Sequence, residues 1–334
     1  EGSYSTDPYD PESRIREFKA MVKAFHDKGI RVIMDVVYNH TGKGDDSNFS
    51  LLVPGYYYRH NEDGSYSNAS GCGNETASER PMMRKYMIES LKHWANEYHI
   101  DGFRFDLMGI HDIETMNMIS DEIHKIDPTI FIYGEGWTAG GSPLPEDEQA
   151  LKRFTYRMDS IAAFSDDVRD AIKGSWSNHE SIRFGIVAST KHPQVDYSKV
   201  NYSKKPWAAE PFQTMTYVSC HDNHTLFDKL KISNPEASEA ELIKKHKLAN
   251  TIVMTSQGVA FLHAGVDFLR TKQGVENSYN LPDSINQLDW PRKAKYREVF
   301  DYYRDLVKLR KNHPAFRMIS TKFIQENLEF LNVD

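Results

Sequence analysis

Apolar residues along the chain fall into two alternating patterns, helical stripes and short continuous runs. Ile15, Phe18, Met21, Val22 and Phe25 recur at helical spacing between Asp10-Pro11 and Gly29, which predicts an amphipathic helix over 10–29. Residues 31–37, Arg-Val-Ile-Met-Asp-Val-Val, are β-branched without polar alternation and predict a parallel strand covered on both faces. The unit then recurs. Helix 82–98, with Met87, Leu91, Trp94 and Tyr98 on one stripe, leads to a strand at 102–107, and helix 111–126 leads to a strand at 130–135. A weaker strand at 160–164 precedes an irregular excursion over 174–210. A strand at 213–220, a helix at 237–255, a strand at 258–264 and a charged helix at 293–312 complete the series. Strands alternating with helices predict an α/β fold with a parallel sheet, either doubly wound or closed into a barrel. The tail at 314–334 places Leu328 and Phe330 on one parity and reads as the first strand of a separate antiparallel domain.

Composition narrows the function. The 334 residues are 39% hydrophobic, enough for a large core, and 41 basic against 48 acidic residues give a formal charge of -7. With no basic run, a nucleic-acid partner is not expected. No stretch approaches the roughly 20 apolar residues of a membrane span, so no transmembrane segment is expected. Cys72 and Cys220 cannot build a disulfide framework or a cysteine zinc cage and read as free thiols.

Polar residues gather where the predicted strands end: Asn39-His40, Arg104 with Asp106, Glu135, and His221-Asp222-Asn223. In parallel α/β folds that end is the active face. Arg104 and Asp106 are two apart in a strand and share a face, while Phe103 and Phe105 point the other way. The pair is either a structural salt bridge or an aspartate kept ionised for nucleophilic work. Glu135, in Gly-Glu-Gly-Trp, is either a turn residue or a general acid partly desolvated by Trp137. His221 and Asp222 reach one pocket only if the chain turns there. Metal catalysis is disfavoured, because His221 and His224 lack a His-x-His or His-Glu-x-x-His partner pattern, and Pro143 and Pro145 interrupt any phosphate loop after Gly134. Asp106 and Glu135 form a candidate carboxyl pair for glycosidic cleavage, with Asp222 as a third carboxylate. Tyr56-Tyr57-Tyr58, Trp137 and Tyr279 are either local packing or sugar-stacking surfaces.

These residues resemble the α-amylase superfamily of glycoside hydrolases, whose four motifs are similar to Asp-Val-Val-Tyr-Asn-His (35–40), Gly-Phe-Arg-Phe-Asp (102–106), Gly-Glu-Gly-Trp (134–137) and Val-Ser-Cys-His-Asp-Asn (218–223). The resemblance implies Asp106 as nucleophile, Glu135 as general acid/base and Asp222 as transition-state stabiliser. It also implies His40, Arg104 and His221 as sugar and nucleophile contacts, with Asp35 structural. Residues 71–81, 270–274, 277–280 and 282–286 resemble segments of the type I pullulanases, which implies cleavage of α-1,6 branch points in an α-glucan and adds Trp137, Tyr279 and Asn280 as substrate-binding residues. It implies a TIM (β/α)8 barrel of the α-amylase type, of which residues 1–313 hold strands three to eight, with 314–334 beginning a C-terminal β-sandwich. No cofactor is required by it, a structural calcium ion is allowed, and an exported or cell-envelope location is favoured over a cytoplasmic one. An α-1,4-acting amylase or neopullulanase, and a non-catalytic glucan-binding barrel fragment, are the alternatives.

Overall fold

The computed structural model describes residues 5–173 and 178–331. The part of the expected excursion at 174–177, the part of the tail at 332–334 and the opening residues 1–4 lie outside them. The chain divides into two compact units, Glu1–Ala163 and Phe164–Asp334.

In the first unit, α1 (Pro11–His26) precedes β1 (Ile33–Val36), α2 (Pro81–Tyr98) precedes β2 (Gly102–Phe105), α3 (Ile113–His124) precedes β3 (Phe131–Gly134), and β4 (Ile161–Phe164) closes the series. The helices start where the side chains allow it. Asp10 accepts from the N–H groups of Glu12 and Ser13, and Asp112 accepts from that of Thr115, satisfying donors a helix N-terminus leaves unpaired. The strands pair in parallel and in sequence order, Ile33 opposite Gly102, Gly102 opposite Phe131 and Ile132 opposite Ile161. Phe103 and Phe105 are fully buried on one face of β2, as their parity requires, in a core shared with Met87, Leu91, Ile119 and Ile132.

Two expectations fail at β1. Its run was expected to be covered on both faces, yet Ile33 is 40% and Val37 52% exposed, and Ile15, Met21 and Phe25 of α1 are exposed as well. β1 is an edge strand of this unit, and α1 has a neighbour on one flank, where Phe18 meets the rings of Trp94 and Tyr98. Val22 is buried as well, while Ile15, Met21 and Phe25 remain exposed.

The second unit contains α4 (Asp166–Lys173), α5 (His179–Ile186), β5 (Thr214–Thr216), α6 (Leu226–Ser233), α7 (Glu239–Thr255), β6 (Val259–Ala260) and α8 (Arg297–Asn312). β5 and β6 pair in parallel, Met215 opposite Val259. Val168, Leu226, Phe227, Val253 and Val299 belong to its core. A reciprocal Ser238–Glu241 capping box starts α7. The excursion is more ordered than expected, since α5 begins inside it. In the tail, Thr321–Asn327 is helical, and Leu328 and Phe330 bond through their backbones to the side chains of His192 and Gln194. All six strands are shorter than the apolar runs that announced them. The chain is α/β with parallel strands, and among the described residues no helix is long and apolar enough to cross a membrane.

Candidate active site

In the first unit the polar cluster lies beyond the C-terminal ends of three adjacent strands, and Arg104 is its centre. The guanidinium Nη1 donates to Asp35 Oδ1 at 2.8 Å and to Asp106 Oδ1 at 2.9 Å, and Nη2 pairs with Glu135 Oε1 at 2.8 Å. One planar fork thus spans β1, β2 and the end of β3, a geometry that suits arginine and that lysine cannot reproduce. Burial works against its charge, but Glu135, Asp35 and Asp106 outweigh it and hold the guanidinium above its usual range. The shared face read for Arg104 and Asp106 is therefore present, and it recruits Glu135 as well.

Asp106 and Glu135 each have a second partner that fixes their direction. The Asn39 amide donates to both the backbone O and Oδ2 of Asp106, each at 2.8 Å, and Asn39 is fully buried. His40 Nδ1 lies 2.5 Å from Asn39 Oδ1. His40, expected beside the nucleophile, thus meets Asp106 through Asn39. Glu135 Oε2 accepts from the Leu107 N–H at 3.0 Å, and Leu107 holds φ +40°, a left-handed conformation rare for a leucine. That strained peptide aims its N–H at the carboxylate.

The glycines beside Glu135 let backbones approach closely. A Cβ on Gly134 would lie 2.7 Å from the Phe105 carbonyl, and one on Gly136 would lie 2.5 Å from the Lys152 nitrogen. Arg104 and the Leu107 N–H both donate to the Glu135 carboxylate, whereas the expectation rested on the indole of Trp137, which is half-buried. The tyrosine run packs locally. Tyr57 stacks on Phe49, the Tyr56 hydroxyl accepts from the Met82 N–H, and Tyr58 is buried against Thr41.

In the second unit, β5 ends at Thr216, and residues 217–224 turn, as the adjacency of His221 and Asp222 required. Asn223 takes φ +58°, and His221 Nε2 lies 3.5 Å from Asp222 Oδ1, both side chains being exposed. His263, just past β6, was not foreseen. Its Nε2 lies 3.0 Å from Arg270 Nη1, and burial, then Arg270, push it down to about 3, so it is a neutral acceptor. Tyr279 is 83% exposed and Asn280 is also exposed, on a loop closed by Asn286, which bonds Ser278 and Leu281. Both cysteines are free thiols. Asn39, named with His40 in the polar cluster, is the residue to which the sequence assigned no role.

Acidic residues at successive parallel-strand ends, gathered on one arginine from the second of four ordered motifs, define the α-amylase superfamily class. Pullulanase of Bacillus subtilis (strain 168) is 43% identical over 337 residues, covering 100% of this chain and 47% of that protein, and pullulanase A of Streptococcus pneumoniae is 30% identical over 383 residues. The solved pullulanase of Paenibacillus barengoltzii, in complex with maltohexaose and α-cyclodextrin, superposes with a TM-score of 0.93 at 46% identity, covering 100% of this chain and 52% of that one. Over its whole length the chain is similar to pullulanases, consistent with the type I pullulanases of the α-amylase family. No family model matches it. It spans 47% of the length of the Bacillus subtilis relative and 30% of that of the Streptococcus pneumoniae one.

Proposed function

We propose that the protein is a retaining glycoside hydrolase that cleaves α-1,6 branch linkages in pullulan-, glycogen- or starch-type glucans. In this reading the six parallel strands are strands three to eight of a (β/α)8 barrel. The observation that carries it is the sharing of Arg104 by Asp106 and Glu135. Two carboxylates on one guanidinium favour the close spacing of about 5–5.5 Å used for retention over the wider spacing of inverting enzymes. The pullulanase relatives support the linkage and the glucan partner.

Asp106, paired with Arg104 and oriented by Asn39, attacks the anomeric carbon through its carboxylate oxygen. The glycosidic C–O bond breaks as Glu135 gives its proton to the leaving oxygen, and a glycosyl–aspartate ester forms. Glu135, now the carboxylate, takes a proton from water. The water oxygen attacks the same carbon and releases Asp106, so configuration is retained. The family resemblance assigns Asp222 to stabilising the positively charged, oxocarbenium-like transition state and His40, His221, Trp137, Tyr279 and Asn280 to contacts with the sugar units. The two carboxyl groups carry the bond and the proton between them, so the chemistry asks for no cofactor.

The full-length protein is expected to release maltotriose from pullulan, and Asp106→Asn to abolish that release. Panose as the product would instead assign α-1,4 cleavage, and parental turnover by the variant would remove Asp106 from the mechanism.

A further inference from the structure

Two loops of the second unit carry proposed site residues, 220–224 with His221 and Asp222 and 276–280 with Tyr279 and Asn280. One buried ammonium joins them. Lys272 is 2% exposed, and its Nζ donates to the backbone carbonyls of His221 at 3.2 Å and Glu276 at 2.9 Å. Its own position is fixed from behind by Asp228, on the first turn of α6. The Lys272 N–H donates to Asp228 Oδ2 at 2.7 Å, and the Thr271 hydroxyl donates to Asp228 Oδ1. Asp228 is itself held, its N–H donating to the Thr225 side chain that caps α6.

Burying an ammonium is costly unless it is paired. Among the described residues no carboxylate oxygen lies within ion-pair distance of Lys272, and its recorded partners are the two carbonyls. Burial and the nearby Arg270 push its pKa down, with Asp222 acting the other way. A methionine would fill the same space without that cost, so the charge and its donors need a reason. The reason lies at the far end of the side chain. The His221 carbonyl is part of the peptide leading directly into Asp222, and the next residue, Asn223, is in the left-handed region. A turn in that conformation has few contacts of its own to set the direction of the Asp222 carboxylate.

We propose that Lys272 is a positioning residue that fixes the His221–Asp222–Asn223 turn and ties it to the base of the Tyr279–Asn280 loop. The proposal rests on the role given above to Asp222. Through the His221 carbonyl, Lys272 sets where the carboxylate meets the transition state. Through the Glu276 carbonyl, it keeps the sugar-binding loop in register with that carboxylate.

The test uses Lys272→Met and Lys272→Gln in the full-length protein, with Asp222→Ala alongside. Amide hydrogen exchange across residues 219–225 is expected to quicken at least about tenfold in Lys272→Met while α7 is unchanged, an effect of lost anchoring that does not depend on catalysis. On pullulan, kcat is expected to fall about ten- to hundredfold with KM within about threefold, since small misplacement of a reacting group acts on turnover. Lys272→Gln, which keeps a donor, is expected to recover part of the loss and serves if the methionine variant folds poorly. Combined with Asp222→Ala, Lys272→Met is expected to cost less than about threefold further. Unchanged exchange at 219–225 overturns the proposal whatever Asp222 does. If Asp222→Ala is inactive and Lys272→Met retains full kcat, the positioning role falls. If Asp222→Ala itself turns over at the parental rate, the reading of Asp222 falls first.

Discussion

Replacing Arg104 removes the one cation that three acidic residues share, so its effect follows from the geometry. In Arg104→Met the buried Glu135 and the partly buried Asp106 both lose their pairing with this guanidinium. Breaking a buried pair from one side costs about 3–5 kcal/mol, because a charge is left behind without compensation. Asp35 adds little, since its side chain is 54% exposed and solvent already screens it. Arg104→Lys keeps the charge and loses the fork. An ammonium that stays with Asp35 and Asp106 gives up the Nη2 contact to Glu135, and one charge-assisted hydrogen bond is worth about 1.5–3 kcal/mol. Read as lost transition-state stabilisation, that is about 10- to 150-fold in kcat/KM. Urea unfolding and the release of reducing ends from pullulan measure the two effects. The reasoning is refuted if Arg104→Met unfolds at the parental urea midpoint, or if Arg104→Lys stays within about threefold of parental turnover.

Asn39→Ala removes both bonds that Asn39 gives Asp106 and is expected to lower kcat about ten- to hundredfold, with His40→Ala smaller because it acts through Asn39. Equal losses in the two variants would point to direct substrate contact by His40. Gly136→Ala drives a Cβ into the Lys152 backbone and is expected to cost about 1–3 kcal/mol of stability in urea; no shift would mean that the segments part freely. Burial holds His111, His246 and His263 neutral, each down to about 3, with Arg59, Lys247 and Arg270 respectively adding to the effect. The unfolded chain binds those protons below about 6.5, so this stability is present above that pH and is lost as pH falls toward 3, each histidine removing about 2 kcal/mol by pH 5. Urea midpoints between pH 7 and 5 should fall less steeply in His246→Gln than in the parent, and parallel slopes would exclude His246 from the linkage.

The long amphipathic helices and all six strands could be read from the sequence, because a continuous apolar run or a helical stripe survives whatever packs on it. Short helices could not. Asp166–Lys173 and Leu226–Ser233 are stable because Val168, Leu226 and Phe227 enter a core whose other residues are distant in sequence. The exposure of Ile33 and Val37 was hidden for the converse reason, since composition reports what a strand can bury and not what covers it. In the site, the strand parity of Arg104 and Asp106 was readable two residues apart. Asn39 reaching Asp106 and Lys272 reaching His221 are tertiary contacts with no local signature. The close approach of the Phe105 and Lys152 backbones to the glycines around Glu135 is likewise a tertiary contact.

The central claim is that Asp106 becomes covalently bonded to sugar. Incubating the full-length protein with a fluorinated α-glucosyl or α-maltosyl fluoride, which slows breakdown of a glycosyl ester more than its formation, and then mapping the peptides by mass, tests it directly. A glycosyl adduct on Asp106, absent in Asp106→Asn, is the expected result. An adduct on another residue, or turnover with retention and no covalent species, would contradict it.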